Sequence, residues 1–225
     1  MLRLPRLAAA MLAAGWCGMH AAAAQSILID DFSAGFVKRS LTTPNTSVSP
    51  VTTGTHILGG MRQSAMGLGS NPWAMPATIE VHKATTGSVN SLALGQGYGA
   101  SARVDEFYGS SVTGLPLGAN LSASTDRFRL TFAGINGALN FNILAYTGTA
   151  HEQNGCNIAA NPFSQTIIEL KYSDFTVQGP PISFAQVDDL DFIFQTNKGT
   201  DWAVTRIEAV NGTIAGAQPC GPIPG

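Results

Sequence analysis

Apolar and polar residues alternate in short runs along most of this chain and hardly anywhere recur at helical spacing. The pattern is sharpest between 186 and 210. There Leu190, Phe192 and Phe194 alternate with Asp189, Asp191 and Ile193, the period-two signature of a strand with one face on a core. A second run, 202–210, follows the polar residues Thr196 to Thr200, so the pair reads as a hairpin. Its apolar residues fall on both alternating positions, which leaves its inward face open.

The rest of the chain is built in the same way. Residues 27–32 read as a first strand, and 33–53, rich in Ser, Thr and Pro, as a long loop with at most one short edge strand. Segment 56–68 contains a flexible or bulged point at Gly59-Gly60, and Pro72 and Pro76 make 71–76 a loop. Further strands are predicted at 78–84, 88–96, 101–108, 127–133, 138–147 and 165–172, with 148–164 as a loop. Asn136-Gly137 is the strongest hairpin signal, since a type I′ turn needs positive φ at both central residues. Short strands, regular turns and the lack of an amphipathic helix predict an all-β antiparallel sandwich or barrel. No internal repeat is visible, which argues against a propeller or solenoid.

Composition adds a compartment. Arg3 and Arg6, the apolar stretch 7–19 and the small residues Ala22 to Ala24 have the form of a secretory leader, residues 1–24, cleaved near Ala24/Gln25. The apolar stretch is too short for a transmembrane segment of about 20 residues. Removing Arg3 and Arg6 from 12 basic residues leaves 10 against 14 acidic ones, a net charge of −4. No basic stripe remains, which argues against nucleic acid and anionic membranes as partners. The organisation expected is therefore a leader, one domain over 25–212 and a Gly/Pro-rich tail over 213–225, in a protein secreted to the periplasm or beyond. Cys156 and Cys220 are the cysteines left after cleavage; in an oxidising compartment they either form one disulfide, tying 148–164 to the tail, or stay as separate thiols.

Several stretches resemble a family of exported bacterial proteins, many with a PEP-CTERM sorting tail. They are ILIDDFSAG, ILGGMRQ, LTFAG, LNFNILAYTG, IIELKYSDF, VDDLDFIF and DWAVTRIEAV. The family's fold is similar to galactose-binding-like jelly rolls, which include many carbohydrate-binding modules; the sorting tail itself is missing here. The resemblance implies a jelly-roll sandwich with its first and last strands adjacent. It also implies a structural calcium there, held by Asp30, Asp31 and Asp201 with Glu208, since calcium takes six to eight oxygens. The alternative is that these carboxylates cap strands and turns.

Candidate binding residues follow from the chemistry of sugars, whose C–H faces stack on flat side chains while amides, carboxylates and guanidinium groups meet the hydroxyls. Trp73 and Tyr98 lie in loops and Tyr108 stands beside Asp105 and Glu106, with Arg62, Gln63 and Arg103 as hydrogen-bonding partners. Each loop aromatic reads equally as a plug on the end of the sandwich. Asp188, Asp189 and Asp191 read as a wet sheet edge, or else as a cation site. No zinc-protease, nucleophile-elbow or phosphate-loop pattern survives inspection, and adjacent Asp105 and Glu106 would point to opposite faces. The reading is a non-catalytic protein that binds carbohydrate. A structural component of an extracellular matrix is the alternative, and a carboxylate-dependent glycan hydrolase stands lower still.

Overall fold

The computed structural model describes residues 25–35, 38–86, 88–177 and 179–220; the expected leader lies outside them. The first strands are β1 (Ser26–Asp30), β2 (Lys38–Leu41), β3 (Thr46–Val48), β4 (Val51–Thr53) and β5 (Met61–Leu68). Then come β6 (Ala77–His82), β7 (Ser91–Gln96), β8 (Ala102–Gly109), the single turn of helix α1 (Ser110–Thr113) and β9 (Arg127–Asn136). β10 (Leu139–Thr147), β11 (Ala150–Ile158), β12 (Thr166–Lys171) and β13 (Thr176–Val177) follow. The chain closes with β14 (Asp189–Thr196), β15 (Asp201–Val210) and β16 (Gln218–Pro219).

These strands form two sheets. The first runs β16-β12-β9-β15-β7-β6-β2 with β1 on β15, and the second β13-β11-β10-β14-β8-β5-β3 with β4 on β5. All pairings are antiparallel except β12 with β16. Consecutive strands keep changing sheet, as between β5 and β6, β7 and β8, β8 and β9, and β9 and β10. The result is an antiparallel β-sandwich of jelly-roll type, with side chains of both inner faces filling one core.

Several local expectations need correction. Neither expected hairpin forms: β9 and β10, joined through Asn136-Gly137, lie in different sheets, and so do β14 and β15. Each of these strands carries a full apolar face, and crossing between sheets lets the two faces meet across the core. Phe194 on β14 stacks on Trp202 of β15 with centroids 4.6 Å apart and meets Phe132 of β9 edge-on. The unassigned inward face of β15 has a cause: a bulge between Val204 and Arg206. Trp202 and Val204 point inward before it, and Ile207 and Ala209 after it, so the parity changes mid-strand.

β11 replaces part of the expected loop over 148–164. Its buried positions Glu152, Asn154, Cys156 and Ile158 are half polar, so the alternation lacked contrast. Residues 33–53 contribute three short strands rather than at most one. The tail is joined to the fold up to Cys220, because β16 adds to β12 and a disulfide links Cys156 to Cys220. β14 is central in its sheet, between β10 and β8, so its aspartates do not form a wet edge.

Candidate functional site

Two of the expected ligand residues are in the core. Arg62 shares its parity on β5 with Ser64, Met66 and Leu68, and Tyr108 shares its parity on β8 with Ala102, Val104 and Glu106; all of these side chains point between the sheets. Arg62 Nη1 lies 2.5 Å from Asp30 Oδ2, and its Nε lies 3.2 Å from Glu106 Oε2. Tyr108 donates to Asp30 at 3.1 Å, the Phe32 amide donates to the same carboxylate at 2.7 Å, and Ser64 donates to Glu106 at 2.7 Å. One guanidinium neutralises one carboxylate. Burial raises both carboxylates: Asp30 is raised against the pull of three donors, and Glu106, with fewer, is pushed up to about 8. This closed cluster fixes the exit of β1 and has no face for a ligand.

The carboxylates expected around calcium are dispersed. Asp30 belongs to the core cluster, and Asp31 meets His56 at 2.7 Å. Asp201 caps the Gln96 amide at 2.6 Å, and Glu208 pairs with Arg206 at 2.9 Å. Asp30 pairs with Ile207 in the register, six residues along β15 from Asp201, a separation of roughly 20 Å. Among the described residues no group of three or more metal-type side chains is brought together.

The outer face of the second sheet is a different matter. Gln63 and Arg103 project from it, joined by Asp105 and Asp191 and by residues that had not been singled out. Across β11, β10, β14, β8 and β5 the register sets Gln153, Leu144, Asp191, Phe107 and Gln63 in one row. The adjoining row is Gly155, Asn142, Ile193, Asp105 and Ala65. Tyr146 pairs with His151 at one end, rings 5.3 Å apart and tilted by 32°. At the other end a cleft of about 270 Å³ opens between Gly67, Ser101, Arg103 and Gln195. The outward parity of 138–147, carrying Asn140, Asn142 and Tyr146, was the signal for this face.

Its electrostatics are set by two carboxylates in unlike surroundings. Asp105 is held by Arg103, whose Nε donates at 2.8 Å and whose Nη2 lies 2.7 Å away. Asp191, 6% exposed, sits between Leu144 and Phe107, and burial, then the nearby Asp105 charge, push it up to about 7. Its Oδ1 and Asn142 Oδ1 have no hydrogen-bond donor. Asp188 and Asp189 are occupied elsewhere, the first by the Gly148 amide at 2.7 Å and the second by Ser110 and Ser111 of α1.

The first sheet's outer face has a larger cleft, about 550 Å³, lined by Arg129, Arg206 and Glu208 among others. Its arginines are already paired, Arg129 with Glu169 at 2.6 Å and Arg206 with Glu208 at 2.9 Å. Trp73 and Tyr98 are on neither face but on loops at one end of the sandwich, strongly exposed.

No protein-family model and no curated protein matches the chain. Solved structures that it resembles include a family 11 carbohydrate-binding module from Clostridium thermocellum, in complex with a β-1,3-1,4-mixed-linked tetrasaccharide. That match has a TM-score of 0.46 and 12% identity, over 84% of this chain and 96% of that one. A carbohydrate-binding module specific for non-crystalline cellulose, CBM28, gives a TM-score of 0.38 and 16% identity, over 60% of this chain and 80% of that one. An exo-β-agarase gives 0.39 and 10%, over 66% of this chain and 24% of that one. These are similarities alone, and the function proposed below rests on this chain's own side chains.

Proposed function

We propose that the chain is an exported, non-catalytic protein that binds carbohydrate along the outer face of its second sheet. The observation that carries this reading is the Tyr146–His151 ring pair standing beside rows of amides and carboxylates on the same face. A pyranose needs that mixture: a flat ring for its C–H face, and donors and acceptors around it for its hydroxyls. Asn142 donates to Gln153, and Asn140 to Asn157 at 3.0 Å, so the amides are held in position before a ligand arrives. Asp191, 6% exposed between Leu144 and Phe107, adds a carboxylate to the same face. Asp105 and Asp191 against the single Arg103 leave the face no net positive charge, a poor surface for phosphate or nucleic acid.

Glycan-array binding followed by titration on the best glycan tests the proposal. Tyr146→Ala and Gln153→Ala should each weaken binding about tenfold or more, while Trp73→Ala and Tyr98→Ala leave it unchanged. Loss of binding in the Trp73 and Tyr98 variants, with Tyr146→Ala unaffected, would move the ligand to the loop end and refute it. Turnover of the bound glycan that disappears in Asp191→Asn would replace binding by hydrolysis.

A further inference from the structure

The end of the sandwich that carries Trp73 and Tyr98 is unlike the rest of the surface. Loops 42–45, 69–76, 97–101, 137–138, 159–165 and 197–200 meet there, as the pairings Leu41 with Ala77, Ala77 with Gln96, Leu68 with Ala102, Leu139 with Ile158 and with Thr196, and Asp201 with Asn136 require. Phe163 is 97% exposed, Tyr98 82%, Trp73 66% and Met75 42%, all on these loops. Among the described residues, the other strongly exposed large apolar side chains are aliphatic and lie away from this end, such as Val89, Leu115 and Ile214. Lys198 is the sole formal charge in the six loops.

The backbone of these loops is also tied to itself. Asn45 N–H donates to Leu68 O at 2.8 Å, Gly69 to Ser101 at 2.9 Å, Ser101 to Ser70 at 2.9 Å, Gly97 to Pro76 at 3.0 Å and Gly199 to Ala100 at 2.9 Å. The Asn71 side chain adds bonds to Thr42 O, Met75 O and Met75 N. Pro44, Pro72, Pro76 and Pro162 have no amide hydrogen at all. Loops that leave water must satisfy their polar groups internally, and these bonds meet that requirement for the groups named.

We propose that this end is a membrane-inserting tip, with Trp73, Met75, Tyr98 and Phe163 entering the interfacial layer of a lipid bilayer. Protrusion favours lipid over a protein partner, because a protein would have to supply a separate pocket for each side chain. Tryptophan and tyrosine suit the interface, having an apolar body and one polar group. With an acidic chain overall and one cation at the tip, insertion is driven by apolar burial, and the surface it fits is zwitterionic.

The test uses the chain from Gln25, which carries both sheets, the core and the disulfide, with phosphatidylcholine vesicles in a flotation assay. Of the two tryptophans in that chain Trp202 is buried, so Trp73 reports insertion by a blue shift and by quenching from brominated lipid. Uptake should survive a rise in salt from about 0.1 M to about 1 M, because apolar burial is not screened. Phe163→Ser and Tyr98→Ser, at sites too exposed to affect folding, should each lower partitioning about tenfold or more, with Leu115→Ser at the opposite end unchanged. No uptake by the unaltered protein overturns the proposal. So does uptake that needs anionic lipid and vanishes with salt, or uptake that Leu115→Ser lowers equally. Self-association abolished by the same tip variants, without vesicle uptake, would instead make the tip a contact between copies of this chain.

Discussion

Glu106→Gln should stabilise this protein at alkaline pH while changing little in acid. Glu106 is fully buried on the inward face of β8, and burial outweighs its contact with Arg62, pushing it from an ordinary 4.5 up to about 8. Between those values the unfolded chain has released the proton and the folded chain still holds it. The unfolded state therefore binds fewer protons, and stability falls as pH rises through that window. Retaining a proton over that range corresponds to at most roughly 5 kcal/mol lost by about pH 9. Asp191, pushed up to about 7, adds a loss of the same sign that is complete earlier. A glutamine keeps the acceptor for Ser64 Oγ and has no proton to lose. Urea unfolding followed through Trp202 fluorescence should place Glu106→Gln within about 1 kcal/mol of the unaltered protein at pH 5 and several kcal/mol above it at pH 9. Asp30→Asn is the contrast: it removes the carboxylate 2.5 Å from Arg62 and should cost about 3–5 kcal/mol at pH 9, where Glu106→Gln is stabilising. Equal destabilisation by Glu106→Gln at pH 5 and pH 9, by about 3 kcal/mol or more, would mean that Glu106 is ionised in the core and would refute the reasoning.

Two other outcomes follow from named contacts. The Cys156–Cys220 disulfide closes a loop of sequence separation 64 between the two sheets, so Cys156→Ala should cost roughly 4 kcal/mol, read as a lower melting temperature that added reductant does not lower further. A carboxylate accepts a sugar hydroxyl more strongly when ionised, so glycan affinity should rise with pH through about 7 and level off, and Asp191→Asn should make the titration flat; a flat profile in the unaltered protein would remove Asp191 from the site.

Strand positions were legible because alternation is local, and the inward set Leu190, Phe192 and Phe194 followed directly from it. Sheet membership was not, because alternation says which side of a strand is buried and not which layer the strand joins. Asn136-Gly137 shows the gap: the dipeptide favours a turn, and the apolar faces of β9 and β10 decided that the turn would cross the core. Arg62 and Tyr108 were misread for residue type, although Met66, Leu68 and Val104 share their parity and marked them as inward. Asp105 and Glu106 were placed correctly on opposite faces by the same rule. The polar inward positions of β11 hid that strand, and with it His151 and Gln153, half of the amide and ring pattern on the outer face.

What unites the site and the fold is the middle of the second sheet. β8 and β14 each put one desolvated carboxylate out of contact with bulk water, Glu106 toward the core and Asp191 toward the outer face. The inward one, against Arg62 and Ser64, also has an oxygen without a partner, Oε1, but it is sealed between the sheets and leaves no gap for a ligand. The outward one has an oxygen without a donor, beside amides that are already bonded into rows. Both sit on central strands held from either side, so the outer face is set by the same packing that sets the core. A ligand on this face therefore meets groups already fixed in place, and its binding energy is not spent on ordering loops.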